Sequence, residues 1–220
     1  MKLINVEIAR TVWLFPLSEL NPDGRSMTEA LVDFAERYHF KKAPKHALDF
    51  DTEKALSFEE GEFKNREGRA ISVKFRIYND GIIADSWSST GDSDDFLEDV
   101  MQWLKSKHGF SLPPDRKPTI IHLSQLTVST DRKIVSLNPK LRDFENLLSQ
   151  KVGAKQDASG YGVAAIAFWP NDHNKPNASG PFRFENKAGT SLNDKRYFAQ
   201  APVSTDVHLE LLEKFEAILA

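Results

Sequence analysis

The sequence predicts an α+β fold in which about four helices pack on antiparallel sheet, and three observations carry that reading. Ile71, Val73, Phe75 and Ile77 alternate with Ser72, Lys74 and Arg76. This pattern buries one strand face and leaves the other wet, as in an antiparallel sheet and unlike a doubly covered parallel one. Asp80-Gly81 follows at once, a dipeptide suited to the positive φ angles of a tight hairpin. Four other segments repeat apolar residues at helical spacing, beginning near residues 30, 96, 141 and 211. The chain has the bulk for a core: 15 Phe and 4 Trp in 220 residues, with 40 % apolar and 28 % charged residues, each buried aromatic removing roughly 150–250 Å² from water.

The elements follow in chain order. Val6 to Phe15 is rich in β-branched and aromatic residues and stops at Pro16, so it reads as the first strand and not as a signal peptide. Ser26 and Glu29 have the capping-box spacing, and Ala30, Leu31, Phe34, Ala35 and Tyr38 line one face of the helix they open. The hairpin of residues 71–87 comes next. In the run Asp85 to Val100, Asp92 or Ser93 is the expected N-cap of a second helix, with Asp94 and Asp95 in its first turn favoured by the helix dipole. Phe96, Leu97, Val100, Met101 and Leu104 form its apolar stripe, and Gly109 is placed for a left-handed stop. The acids of this run lack the spacing of a calcium loop, and a phosphate loop would want more glycines and a Lys.

The Pro-rich segment 111–118 is the expected boundary between lobes of residues 1–112 and 118–220, the alternative being one continuous domain. In the second half, 119–129 and 133–137 read as a hairpin. Asn138-Pro139 starts a helix lined by Leu141, Phe144, Leu148 and Val152. The apolar run 160–170 reads as a strand buried on both faces or nearly so, followed by two short strands, "FRFENK" and "RYFAQAP". Ser204 or Thr205 then caps a helix carrying Leu211, Leu212, Phe215, Ile218 and Leu219. Both halves thus run strand, helix, two or three strands, helix, an order compatible equally with duplication and with chance recurrence.

Function is less legible. The net charge is −3, without the basic surplus that releases counterions from phosphates, so nucleic acid is not favoured and another protein is the expected partner. With no cysteine, thiolate nucleophiles and Cys-based zinc sites are excluded. No window reaches the roughly 18 apolar residues of a membrane span, and the default location is the cytoplasm. No phosphate loop, dinucleotide fingerprint, HExxH or GxSxG is present. No cofactor or metal is expected, and a homo-oligomer is left open. The reading leans against an enzyme and toward a non-catalytic macromolecule-binding protein, an adaptor, inhibitor, immunity-type or assembly component acting through loops and sheet edge.

Its contact residues would be the basic cluster Lys41, Lys42, Lys45 and His46, the loop residues Asp172, His173 and Asn174, and Trp103, which stands beside the main stripe of its helix and would anchor a partner if exposed. Phe182, Phe184 and Phe198 would stack bases if exposed on a sheet, but packing is the stronger expectation for them. The alternative is a metal-dependent hydrolase or nuclease-like enzyme using His46, Asp49 and Asp51.

Overall fold

The computed structural model describes residues 1–44, 55–138, 140–153, 160–175 and 178–219. The expected α+β class is found, with four α-helices and eight strands among the described residues: β1 (Lys2–Leu14), α1 (Thr28–Arg37), β2 (Leu56–Lys64), β3 (Ala70–Tyr78), β4 (Gly81–Ser86), α2 (Thr90–Trp103), β5 (Thr119–Ser129), α3 (Lys140–Gly153), β6 (Ala165–Phe168), β7 (Phe182–Asn186), β8 (Arg196–Ala201) and α4 (Thr205–Ile218). Each half therefore has the order β-α-β-β-β-α, one strand more than the shorter version of the sequence reading. The hydrogen-bonded strand order is β2-β3-β4-β1 in the first half and β8-β7-β6 in the second. The chain divides into one unit of Ile8–Ser124 with Val203–Thr205, and another of Met1–Glu7, Gln125–Pro202 and Asp206–Ala220. The division passes through β1 and β5, whereas composition places a break at 111–118.

In the first unit, β3 and β4 form the expected hairpin, pairing from Val73↔Ser86 to Tyr78↔Gly81. Asn79 and Asp80 are therefore the turn, and neither has positive φ; Gly81 does, at 157°. Glycine is required there because a Cβ would lie 2.2 Å from the carbonyl oxygen of Trp13 on the neighbouring strand. The core gathers Phe34, Phe58, Phe75, Phe96, Leu97 and Val100 between these strands and helices α1 and α2.

Strand β2 was hidden in the sequence by a bulge. Phe58 pairs with Phe75 but Gly61 pairs with Val73, so one extra residue shifts the phase of the alternation between Phe58 and Phe63. Glu60 takes φ 58° at the kink. The expected capping box of α1 does not form: Met27 holds the cap position without a side-chain bond.

Helix α2 begins at Thr90, a little before the expected cap, because Ser89 Oγ accepts the Asp92 N–H at 3.0 Å. Asp92 lies inside the first turn and is 6 % exposed. Burial pushes its carboxyl up, but hydrogen bonds from Ser88, Asn65 and Ser89 outweigh that and hold it below the usual range. Asp94 accepts from Thr11 Oγ1 at 2.8 Å, and Asp95 pairs with Arg66 at 3.1 Å. The helix ends in one π turn, Leu104–His108, and Gly109 makes the expected left-handed stop at φ 71°.

In the second unit, β7 lies between β6 and β8 with antiparallel pairing on both sides. Phe184, Tyr197, Ala199, Leu212 and Phe215 are buried together with Leu126 and Val128. Residues 134–137 form a 3-10 turn and not the second arm of a hairpin; Ile134 and Val135 are buried by it. Asn138 Oδ1 accepts the Lys140 N–H at 3.1 Å, the expected cap. Two expectations of burial fail here. Of the expected stripe on α3, Leu141 and Phe144 are exposed and Leu148 and Val152 half-buried, and β6 stands at the end of the strand order with Ala165 and Ala167 exposed. An edge strand has a partner on one side only, so an apolar run does not by itself mean a covered one.

Candidate functional site

The second unit's strands present one built face and one open one. Strand alternation turns Phe184, Tyr197 and Ala199 into the core, where Phe184 stacks on Tyr197 with ring centroids 4.6 Å apart. Their neighbours Arg183, Glu185, Arg196, Phe198 and Gln200 therefore point the other way and are half-buried or exposed. In register, Arg183 stands opposite Gln200 and Glu185 opposite Phe198, while Ala165 and Ala167 lie across from Glu185 and Arg183.

Two cation–aromatic pairs mark this face. The Arg183 guanidinium lies 5.7 Å from the ring centre of Trp169, and the Lys187 ammonium 5.9 Å from that of Phe198. Trp169 is 54 % exposed. Lys187 is held in place by Glu7 at 2.8 Å, which also accepts from Thr127 Oγ1 at 2.6 Å. The bond from Lys187, then that from Thr127, keeps the Glu7 carboxyl below its ordinary range. Gln125 donates to Gln200 Oε1 at 2.8 Å. Arg183 and Arg196 form no ion pair among the described residues, so the face carries three cations against Glu185 and Glu7. Stacked cations keep their charge, and a ring beside a guanidinium offers a flat apolar surface next to an anion-binding group. The arrangement suits a ligand that alternates planar rings with anions.

The first unit has a different polar cluster. His122 Nε2 lies 3.0 and 3.1 Å from the two carboxylate oxygens of Asp94, and this bond raises the His122 pKa. On the other side of the strands, Asp85 takes a bidentate bond from Arg10, at 2.6 and 3.0 Å, and one from Arg76 at 2.7 Å. Thr11 Oγ1 donates to the same Asp94 at 2.8 Å, and among the described residues no hydroxyl is hydrogen-bonded to the His122 ring.

No family model matches the chain. Among curated proteins, an ATP-dependent helicase/nuclease subunit from two strains of Clostridium kluyveri is 27 % identical over 148 residues, covering 60 % of this chain and 12 % of the relative. The chain thus matches a small part of the length of those relatives. Among solved structures, Methanococcus jannaschii TBP matches with a TM-score of 0.46 and 10 % identity over 99 % of this chain and 97 % of that one, a likeness too distant to place function.

The partner expected from composition is corrected by the likeness to the clostridial relatives. Net charge argued for a protein and against nucleic acid, yet the matching stretch belongs to a helicase/nuclease component. A whole-chain charge of −3 averages over faces that differ, and one face here holds an excess of cations. No helix among the described residues is long and apolar enough to cross a membrane.

The individual candidates fall in several places. Asp172, His173 and Asn174 lie beside the open face: the His173 ring meets Trp169 edge-on at 6.0 Å, and Asp172 pairs with Lys175 at 2.7 Å. Lys42 is neutralised by Glu60 at 2.6 Å, with Lys41 3.9 Å from the same carboxylate, so this part of the basic patch is offset. Lys45, His46, Asp49 and Asp51 lie outside the described residues. Trp103 is not an exposed anchor. It is 8 % exposed and packs 6.1 Å from Phe34 and 5.1 Å from His108. Seven residues after Phe96, it falls two turns down the same stripe. Of the three phenylalanines, Phe184 is core, Phe182 packs on Phe215 at 5.7 Å, and only Phe198 faces outward. Trp169 and Arg183 were missed as a pair, since they stand 14 positions apart with a loop between them; the alternation of "FRFEN" was the available signal for Arg183.

Proposed function

We propose that this chain is a non-catalytic nucleic-acid-binding protein that uses the open strand face of its second unit. The observation that carries the reading is the exposed Trp169 with Arg183 stacked against it, repeated as Phe198 with Lys187. Rings that stack bases next to cations that meet phosphates are what such binding requires. The stretch matching a helicase/nuclease component supports the same reading. Binding is through a face, in place of the loops and edge first expected, with the 172–174 loop at its border.

The test is fluorescence anisotropy with labelled oligonucleotides at low salt, comparing the wild-type chain with Arg183→Gln/Arg196→Gln. The double variant is expected to bind at least about tenfold more weakly, since each lost phosphate contact also lowers the salt dependence, by about 0.7–0.9 in log–log slope. Equal affinity of the two proteins, or no binding by the wild type, removes the proposal.

A further inference from the structure

We propose that the occupant of this face is a single strand, with one base stacked on Trp169 and its phosphate at Arg183. This rests on the nucleic-acid reading above and narrows it. In a duplex the faces of the bases are already stacked on one another, and only edges and phosphates are offered to a protein. The groups built here are ring faces. Trp169 exposes 54 % of its surface, with the guanidinium of Arg183 5.7 Å from its ring centre and the His173 ring edge-on at 6.0 Å. Next to it the sheet is floored by alanines, Ala165 and Ala167, both exposed and facing Glu185 and Arg183 in register. Short side chains there leave room for a planar base to lie against the indole.

Phe198, two strands away on β8, is the second ring, with Lys187 5.9 Å from its centre. Glu185 lies directly opposite Phe198, and its charge turns the backbone of a strand toward Arg183 on one side and Arg196 on the other. Gln125 Nε2 donates to Gln200 Oε1 at 2.8 Å, which takes up one donor and one acceptor of the two side-chain amides on this face, and stacking, which every base offers, is the main contact.

The experiment measures affinity for a labelled oligothymidine, for the same length with abasic spacers in place of every base, and for a duplex, all at one salt concentration. The proteins are the wild type, Trp169→Ala and Trp169→Phe. The single strand should bind at least tenfold tighter than the duplex. Removing the bases should cost tenfold or more, Trp169→Ala should cost a similar factor, and Trp169→Phe should restore most of it. Thermal melts of the variants confirm that each is folded. If the duplex binds as tightly as the single strand, or the abasic strand as tightly as oligothymidine with Trp169→Ala neutral, this inference fails while nucleic-acid binding stands. If the wild type binds none of the three, both fall.

Discussion

His208 lies fully buried on α4, with neither ring nitrogen hydrogen-bonded among the described residues, and burial pulls its pKa down from 6.5 to about 4. The folded state therefore holds it neutral where the unfolded chain would take up a proton. Its contribution is fully present above pH 6.5 and is lost as pH falls from there toward 4, up to about 3 kcal/mol. His122 works in the opposite sense. Its raised pKa, caused by the bond to Asp94, stabilises the fold below pH 6.5 and stops doing so as pH rises through the folded value. Urea unfolding checks both: His208→Leu should lose less stability than wild type between pH 7.5 and pH 4.5, and His122→Gln should cost more at pH 5.5 than at pH 8.5. Gly81 gives a third expectation at this scale. With a Cβ placed 2.2 Å from the Trp13 carbonyl oxygen, Gly81→Ala should cost well over about 1 kcal/mol.

Helix termini and faces decide what happens at the scale of elements. Ser89 caps α2 through its bond from the Asp92 N–H, so Ser89→Ala should lower stability by about 1 kcal/mol. Ser26, which has the spacing of a capping box but makes no cap bond, should be replaceable by Ala within about 0.5 kcal/mol. Helices α3 and α4 separate in the same way. Phe144 is 60 % exposed and Leu212 1 % exposed; Phe144→Gln should change stability by under about 0.5 kcal/mol, whereas Leu212→Ala should cost about 2–5 kcal/mol. Periodicity marks the apolar side of a helix, but not whether anything covers it. On α4 the stripe that is buried runs His208, Leu212, Phe215 and Leu219, leaving Leu211 and Ile218 outside. A polar His thus takes a core position that a reading confined to apolar residues passes over.

For the whole molecule, charge and chain order behave differently. The net charge is a sum, and a sum of −3 hides a face with three cations against two carboxylates. Binding through so few cations predicts a shallow salt dependence, a log–log slope of about −2 for a single strand; a slope near −5 or steeper would place the contact on some other, more basic surface. Chain order, by contrast, reads well, because the repeated β-α-β-β-β-α sequence of elements depends on local patterns of hydrophobicity and turns. The strands β3, β4, β7 and β8 and the helices α1, α2 and α4 follow from spacings of two to four residues. Strand β2 escaped, since its bulge shifts the alternation by one residue, and 134–137 was misassigned because a 3-10 turn with buried Ile134 and Val135 looks like a short strand.

The sequence by itself determined the α+β class, most of the elements and the start of α2 to within a few residues, since these depend on contacts between near neighbours along the chain. The cap itself is Ser89, and Asp94 and Asp95 are engaged by Thr11, His122 and Arg66. Only the tertiary structure decided which apolar residues are covered, that Trp103 is core and Trp169 surface, and that Arg183, Lys187 and Phe198 share one side of the strands with Trp169. Strand pairing brings residues of distant number to one face, and no local spacing records which side of a strand is left uncovered.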